Sequence, residues 1–279
     1  MSQPCVIHPG DSSSPVVLHV PHAGREIPPE VRAGIALSER ALAAELAEST
    51  DTATDSIAAT AAERTARRPW RAVHRYSRMV VDPERFPDAS EPMLRYGRGA
   101  VYERTCGGAP LRTGAGPTAD ELLARYFHPY AAAVAALVRE RLAATGAAVV
   151  IDVHSYPARP SAFEDAARPR PAICVGTDAT HTPPWLAAAA RRVFATAGPV
   201  DFDTPYAGCY VPLVHYRRDL RVAAVMIEIR RDLYLDAHGE PRHAAVADLG
   251  SMLAELADAA TVYSLTSGSR TGTRHGERG

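Results

Sequence analysis

Val16-Val17-Leu18-His19-Val20-Pro21-His22-Ala23-Gly24 reads as a short buried strand cut off by a turn. Val16, Val17 and Leu18 supply the apolar run, and Pro21 and Gly24 break it. A histidine between those breakers falls at the lip of a sheet, where open α/β folds bind ligands. Far down the chain, Val149-Val150-Ile151-Asp152-Val153-His154 repeats the arrangement. Two imidazoles delivered by two strand ends are a way to hold a metal ion. A lone histidine after a strand is more often a packed side chain, so neither run settles function alone.

Working outward, helical and strand patterns alternate. Ser38 caps a helix with Leu42 and Leu46 as its buried stripe, and Ile57 to Ala62 continue after an interruption. Thr52 followed by Asp55 matches a capping box for that second helix. Ala72 to Val81 reads as a strand, and Glu91 to Gly116 as a long loop of the kind that is often functional or mobile. Thr118 with Glu121 opens the longest helix, which His128-Pro129 kinks or restarts and Gly146 ends near Thr145. Ala172 to Gly176 and Val222 to Ile229 are further strands, Pro183 to Ala197 a helix, and a terminal helix covers about His243 to Ala259. Such alternation makes an α/β sheet. The expected organisation is one domain over residues 1–265, with a Ser/Thr/Gly/Arg-rich disordered tail over 266–279.

Composition excludes several classes. The 279 residues carry a formal net charge of −1, so no nucleic-acid footprint is indicated. The four cysteines, Cys5, Cys106, Cys174 and Cys209, are scattered, which argues against a disulfide scaffold and suits a reducing compartment. The first ten residues lack the pattern of a signal peptide, and no apolar run approaches the roughly 18 residues that span a bilayer. A soluble cytoplasmic protein is expected, with no nucleic-acid or membrane partner; the oligomeric state is not legible.

Three further places stand out. Asp51 lies off the Leu42/Leu46 stripe, leaving a capping or a ligand role open. Arg78, Asp82 and Arg85 cluster about a strand end, and paired guanidinium groups grip a carboxylate. Glu228 interrupts an apolar strand, so it needs either a function or an ion-pair partner such as Arg230.

These segments together resemble the N-formylglutamate amidohydrolase family, relatives of zinc carboxypeptidases and aspartoacylases. The matching stretches are Pro21 to Gly24, Thr50-Asp51 through Asp55, Ser77-Arg78 through Asp82 and Arg85, Ile151 to Ser155, Thr204 to Tyr210, and Ile227 to Tyr234. The resemblance implies a three-layer αβα fold with a mixed central sheet, zinc-carboxypeptidase-like. It implies one zinc ion held by His22, His154 and an acidic residue, best Asp51, with Asp55 and Glu26 as alternatives. Glu228 would be the general acid/base, and Arg78 would polarise the scissile carbonyl. Arg85 would hold a substrate carboxylate, with Asp82, Tyr206 and Arg230 completing the substrate set. The implied activity is hydrolysis of a small anionic N-acyl amino acid such as N-formylglutamate, as in histidine degradation. A peptidase- or amidase-like activity, or an idle binder of acidic metabolites, are the alternatives. One departure bears on them: where the family reads Asp-x-Asn-Arg, this chain has Asp82-Pro83-Glu84-Arg85, an acceptor-only carboxylate in place of an amide.

Overall fold

Seven strands pair into one mixed sheet among the described residues, 3–271 of this computed structural model. They are β1 (Cys5–His8), β2 (Val16–Val20), β3 (Trp70–His74), β4 (Ala148–Tyr156), β5 (Ile173–Gly176), β6 (Val200–Phe202) and β7 (Val222–Arg230). Their spatial order is β1-β3-β2-β4-β7-β5-β6. The central β3, β2, β4 and β7 run parallel, while β1 is antiparallel to β3 and β5 antiparallel to β7. The mixed α/β sheet expected from the sequence is the one found.

The helices are α1 (Pro29–Arg32), α2 (Glu39–Ser49), α3 (Thr54–Arg64), α4 (Ala119–Leu122), α5 (His128–Thr145), α6 (Pro184–Phe194) and α7 (His243–Thr271). Strand residues alternate between faces. Leu18, Ile151 and Ile227 point to one side, where Ile57 of α3, Phe194 of α6 and Leu253 of α7 bury them. Val17 and Val150 point to the other, under Tyr130, Leu137 and Val138 of α5. Each fully buried aliphatic side chain here contributes about 1.5–3 kcal/mol.

Local signals explain most boundaries. Ser38 accepts the Ala41 N–H, and Thr118 and Glu121 close a reciprocal capping box. A π-turn over Leu123–Phe127 precedes α5, where Pro129 sits in the first turn, and Gly146 at φ +77° ends the helix.

Three expectations are corrected. The strand expected to reach Val81 stops at His74; Met79, Val80 and Val81 are buried in a turn, against Leu111 for Met79 and Leu122 and Phe127 for Val80 and Val81, so apolar packing rather than a ladder accounts for the run. The capping box at Thr52 and Asp55 does not form: α3 follows Ala53 in the left-handed region (φ 65°), and Asp55 accepts only from Ser56 N–H. The closing helix runs to Thr271, past the Thr266 at which the disordered tail was expected to begin; residues 272–279 lie outside the described residues.

Candidate active site

Backbone contacts set the first two acidic and imidazole groups in place. After β2 the chain turns at Pro21, and Gly24 lies flat on the next connection: a Cβ there would come within 2.5 Å of the Arg75 and Tyr76 carbonyl oxygens. That close approach requires glycine and leaves His22 buried. Asp51 follows α2, and its N–H donates to the His22 carbonyl at 3.0 Å, so the two residues share one backbone clamp. β4 brings His154, and β7 sets Glu228 beside it as its register partner. Partners in register project to the same face, here the α5 side.

Three donor atoms converge: His154 Nδ1 lies 3.0 Å from Asp51 Oδ2, His22 Nδ1 3.2 Å from His154 Nδ1, and His22 Nδ1 3.6 Å from Asp51 Oδ2. The outer side of each group is fixed. His22 Nε2 faces Asp82 Oδ1 at 2.9 Å, and His154 Nε2 faces Asp152 Oδ1 at 3.0 Å. Carboxylates only accept, so each Nε2 donates outward; a cation in the centre would take the Nδ1 lone pairs, and without one His154, with its raised pKa, keeps a proton on Nδ1 toward Asp51 Oδ2. Arg231 Nη2 donates to Asp51 Oδ1 at 3.0 Å, which leaves Oδ2 for the centre. Two imidazole nitrogens and a carboxylate oxygen this close need positive charge among them, a proton or a metal cation. Tetrahedral zinc, with bonds of about 2.0–2.1 Å, spaces its ligand atoms about 3.3 Å apart. The donor set fits that ion, and its outer partners follow the carboxylate–histidine pattern of metal sites.

Electrostatics divide the remaining groups. Burial would lower the pKa of His154, but Glu84, Asp152 and Asp51 raise it well above the ordinary value. Burial works against ionised Asp51 and Asp82, yet the histidines, and Arg78 beside Asp82, hold both carboxyls well below the usual range. Glu228 behaves oppositely: burial, with Asp51 adding to it, pushes its carboxyl up to about 7 against the pull of His154, His22 and Arg78. Its Oε2 has no hydrogen-bond partner. A buried carboxyl near neutrality with a free oxygen beside a cleft is suited to moving protons.

The cleft, about 560 Å³, is lined by the three donors together with Arg78, Glu84, Arg85, Tyr206, Glu228 and Arg231. Arg78 is held by Asp82 (2.7 Å) and by its bond to Tyr102 Oη (2.9 Å). Arg85 is less committed: its nearest carboxylates stand at 3.5 and 3.6 Å, and its Nε lacks a hydrogen bond. Tyr206 donates to Glu164 at 2.6 Å. Glu84 meets His154 Nε2 at 3.1 Å, competing with Asp152 for one N–H.

Other expected residues fall elsewhere. Arg230 does not line the cleft; it donates to Asp232 and to the Arg170 carbonyl. β7 ends there, and the tight turn Arg231–Leu233 swings the next arginine inward instead. Asp82 is fully buried behind His22 and Arg78, and accepts from Tyr102 and Arg78, so it orients them rather than meeting substrate. Asp55 is an exposed helix-start residue, and Glu26 pairs with Arg75 at the surface. Arg231 and Asp152 join the site only through the fold, one by the turn after β7 and the other by its place on β4. Asp152 carried the same signal as Glu228, a carboxylate inside an apolar strand.

A sequence model of the N-formylglutamate amidohydrolase family matches residues 14–235. The solved N-formylglutamate amidohydrolase from Ralstonia eutropha JMP134 superposes with a TM-score of 0.77 at 24% identity, covering 96% of this chain and 100% of that one. A gene product from Agrobacterium tumefaciens superposes at 0.67 and 20% identity, over 96% and 97%. At these identities the structural likeness carries the fold. No curated protein matches the chain. By the extent of the family match, most of the sequence from Ser14 to Leu235, the chain belongs to the N-formylglutamate amidohydrolase family.

Proposed function

We propose that the chain is a zinc-dependent amidohydrolase that cleaves the amide of a small N-acyl amino acid, N-formylglutamate being the first candidate. The observation that carries this reading is the inward convergence of His22 Nδ1, His154 Nδ1 and Asp51 Oδ2, each locked from behind by a buried partner. Zinc held by those three atoms supplies Lewis acidity and lowers the pKa of water towards 7. Glu228 takes a proton from the attacking water and returns it to the leaving amine; a carboxyl pushed up to about 7 can do both. Arg78, fixed by Asp82 and Tyr102, stabilises the charge that develops on the scissile carbonyl oxygen. Arg85 binds the substrate carboxylate, and Tyr206 lines the same cleft.

A peptidase- or amidase-like alternative is favoured by one observation. At about 560 Å³ the cleft is in the range that holds drug-sized ligands, and it reaches Phe163 and Tyr206. The test is metal content with a substrate panel. The purified protein is expected to hold about one zinc per chain and to turn over N-formyl amino acids faster than N-acetyl ones or short peptides. His154→Ala is expected to lose both metal and turnover. Full zinc and full activity in that variant would sink the proposal, and preference for peptides would move it to the alternative.

A further inference from the structure

We infer that His19 and Tyr130 are positioning residues for His154, acting through Asp152; the inference rests on His154 being a metal ligand. His19 on β2 is the register partner of Asp152 on β4, so both side chains project to the α5 face. His19 Nδ1 meets Asp152 Oδ1 at 2.7 Å, and the same oxygen stands 3.0 Å from His154 Nε2, whose N–H it shares with Glu84 Oε1 at 3.2 Å. The other oxygen, Oδ2, accepts the Tyr210 backbone N–H at 3.0 Å. Because Asp152 can only accept, His19 carries its hydrogen on Nδ1, and its Nε2 is then an acceptor. Tyr130 Oη on α5 donates to that Nε2 at 2.6 Å. The Tyr210 ring stacks on the imidazole at 4.1 Å with an 18° tilt, which bars the ring from turning. His19 and Tyr130 have no exposed surface, and Asp152 is 1% exposed.

Packing alone does not call for these residues. Apolar side chains would fill the same volume without the cost of burying an imidazole and a hydroxyl. Their arrangement matters because His154 has two carboxylates to choose from. Glu84 approaches its Nε2–H at 3.1 Å from the cleft wall and is partly exposed, so it is the less enclosed acceptor. With Asp152 held by His19 and Tyr210, its Oδ1 stays within reach of the His154 N–H beside Glu84, and the ring keeps Nδ1 aimed at Asp51 and His22. Remove the His19 N–H, and Asp152 can rotate away. The His154 N–H is then left to Glu84 alone, and the ring turns toward it.

The test measures zinc affinity by chelator competition on the full chain, beside the absorption spectrum of the cobalt-substituted protein and the unfolding midpoint of the metal-free form. His19→Phe keeps a ring for stacking and loses both hydrogen bonds. It is expected to bind zinc about 10–100-fold more weakly, the range typical of outer-shell partners, with a shifted cobalt spectrum. Tyr130→Phe, which loses one hydroxyl, is expected to move both readouts the same way by less. His19→Asn, whose amide can reach Asp152, is expected to recover part of the affinity. Wild-type zinc affinity and an unchanged cobalt spectrum in folded His19→Phe would overturn the inference. Should that variant not fold, unchanged zinc affinity in Tyr130→Phe overturns it. Failure of the wild-type protein to bind zinc at all is a separate result, and it brings down the metal reading itself.

Discussion

The two faces of β2, β4 and β7 are built from alternate residues of the same three strands, and both bury apolar side chains, yet only one carries ionisable groups. On the side of α3, α6 and α7, Val16, Leu18, Val20, Ile151, Val153, Val225, Ile227 and Ile229 form one continuous apolar layer. On the α5 side, the same strands offer His19, Asp152, His154 and Glu228, all buried. The apolar face stabilises by removing area from water, and any well-fitting hydrocarbon could do that work. The polar face spends part of that stability, because a buried charge needs a partner for every oxygen and nitrogen. Its residues are therefore specific where those of the first face are interchangeable. Substitutions on the two faces should fail in different ways: stability first on one, chemistry first on the other.

The largest effect is expected on the polar face. Glu228→Gln should lower kcat by about 10²–10⁴-fold while zinc content and unfolding midpoint stay near wild type. Loss of stability without loss of turnover per folded molecule would break the contrast. On the apolar face, Ile227→Ala, one residue away on β7, should cost about 2–5 kcal/mol in denaturant unfolding and leave KM of the folded fraction unchanged.

Smaller effects sharpen the division. Asp82→Asn keeps the shape behind His22 but weakens the acceptor, and zinc affinity should fall by about 10–100-fold in chelator competition. The pH profile should be the mildest signature. Glu228 must be ionised to accept a proton, and burial raises its carboxyl to about 7, so kcat/KM should rise with pH through neutrality and level off above it. In Glu228→Gln that acidic limb should disappear.

Much of the α5 face was legible because a polar residue in an apolar run is conspicuous. His22, His154 and Glu228 each stood at or inside such a run, and the alternation of strands and helices gave the sheet. What escaped depended on side-chain direction at the ends of elements. Arg230 and Arg231 are equivalent by composition; only the tight turn after β7 decides that Arg231 reaches Asp51. Asp82 looked like a substrate contact because it neighbours Arg78 and Arg85, but its burial makes it their anchor. Met79-Val80-Val81 looked like strand because burial in a turn and burial in a ladder leave the same apolar mark. Asp51 reads equally as a cap or a ligand in the sequence, because only the fold brings its N–H to the His22 carbonyl and its side chain beside His154.

The bond between His19 and Asp152 closes a separation of 133 residues, and the two strands that carry them are neighbours at the middle of the sheet. A growing chain therefore has His22 and Asp51 long before it has His154, and Glu228 later still. Pairings that distant form slowly, since the loop they close must lose its freedom first. During synthesis, then, the partial chain offers two of the three donors proposed for zinc and lacks Glu228. On that proposal the complete donor set exists only when the two halves of the sheet have met, so metal capture would mark the end of folding rather than its start.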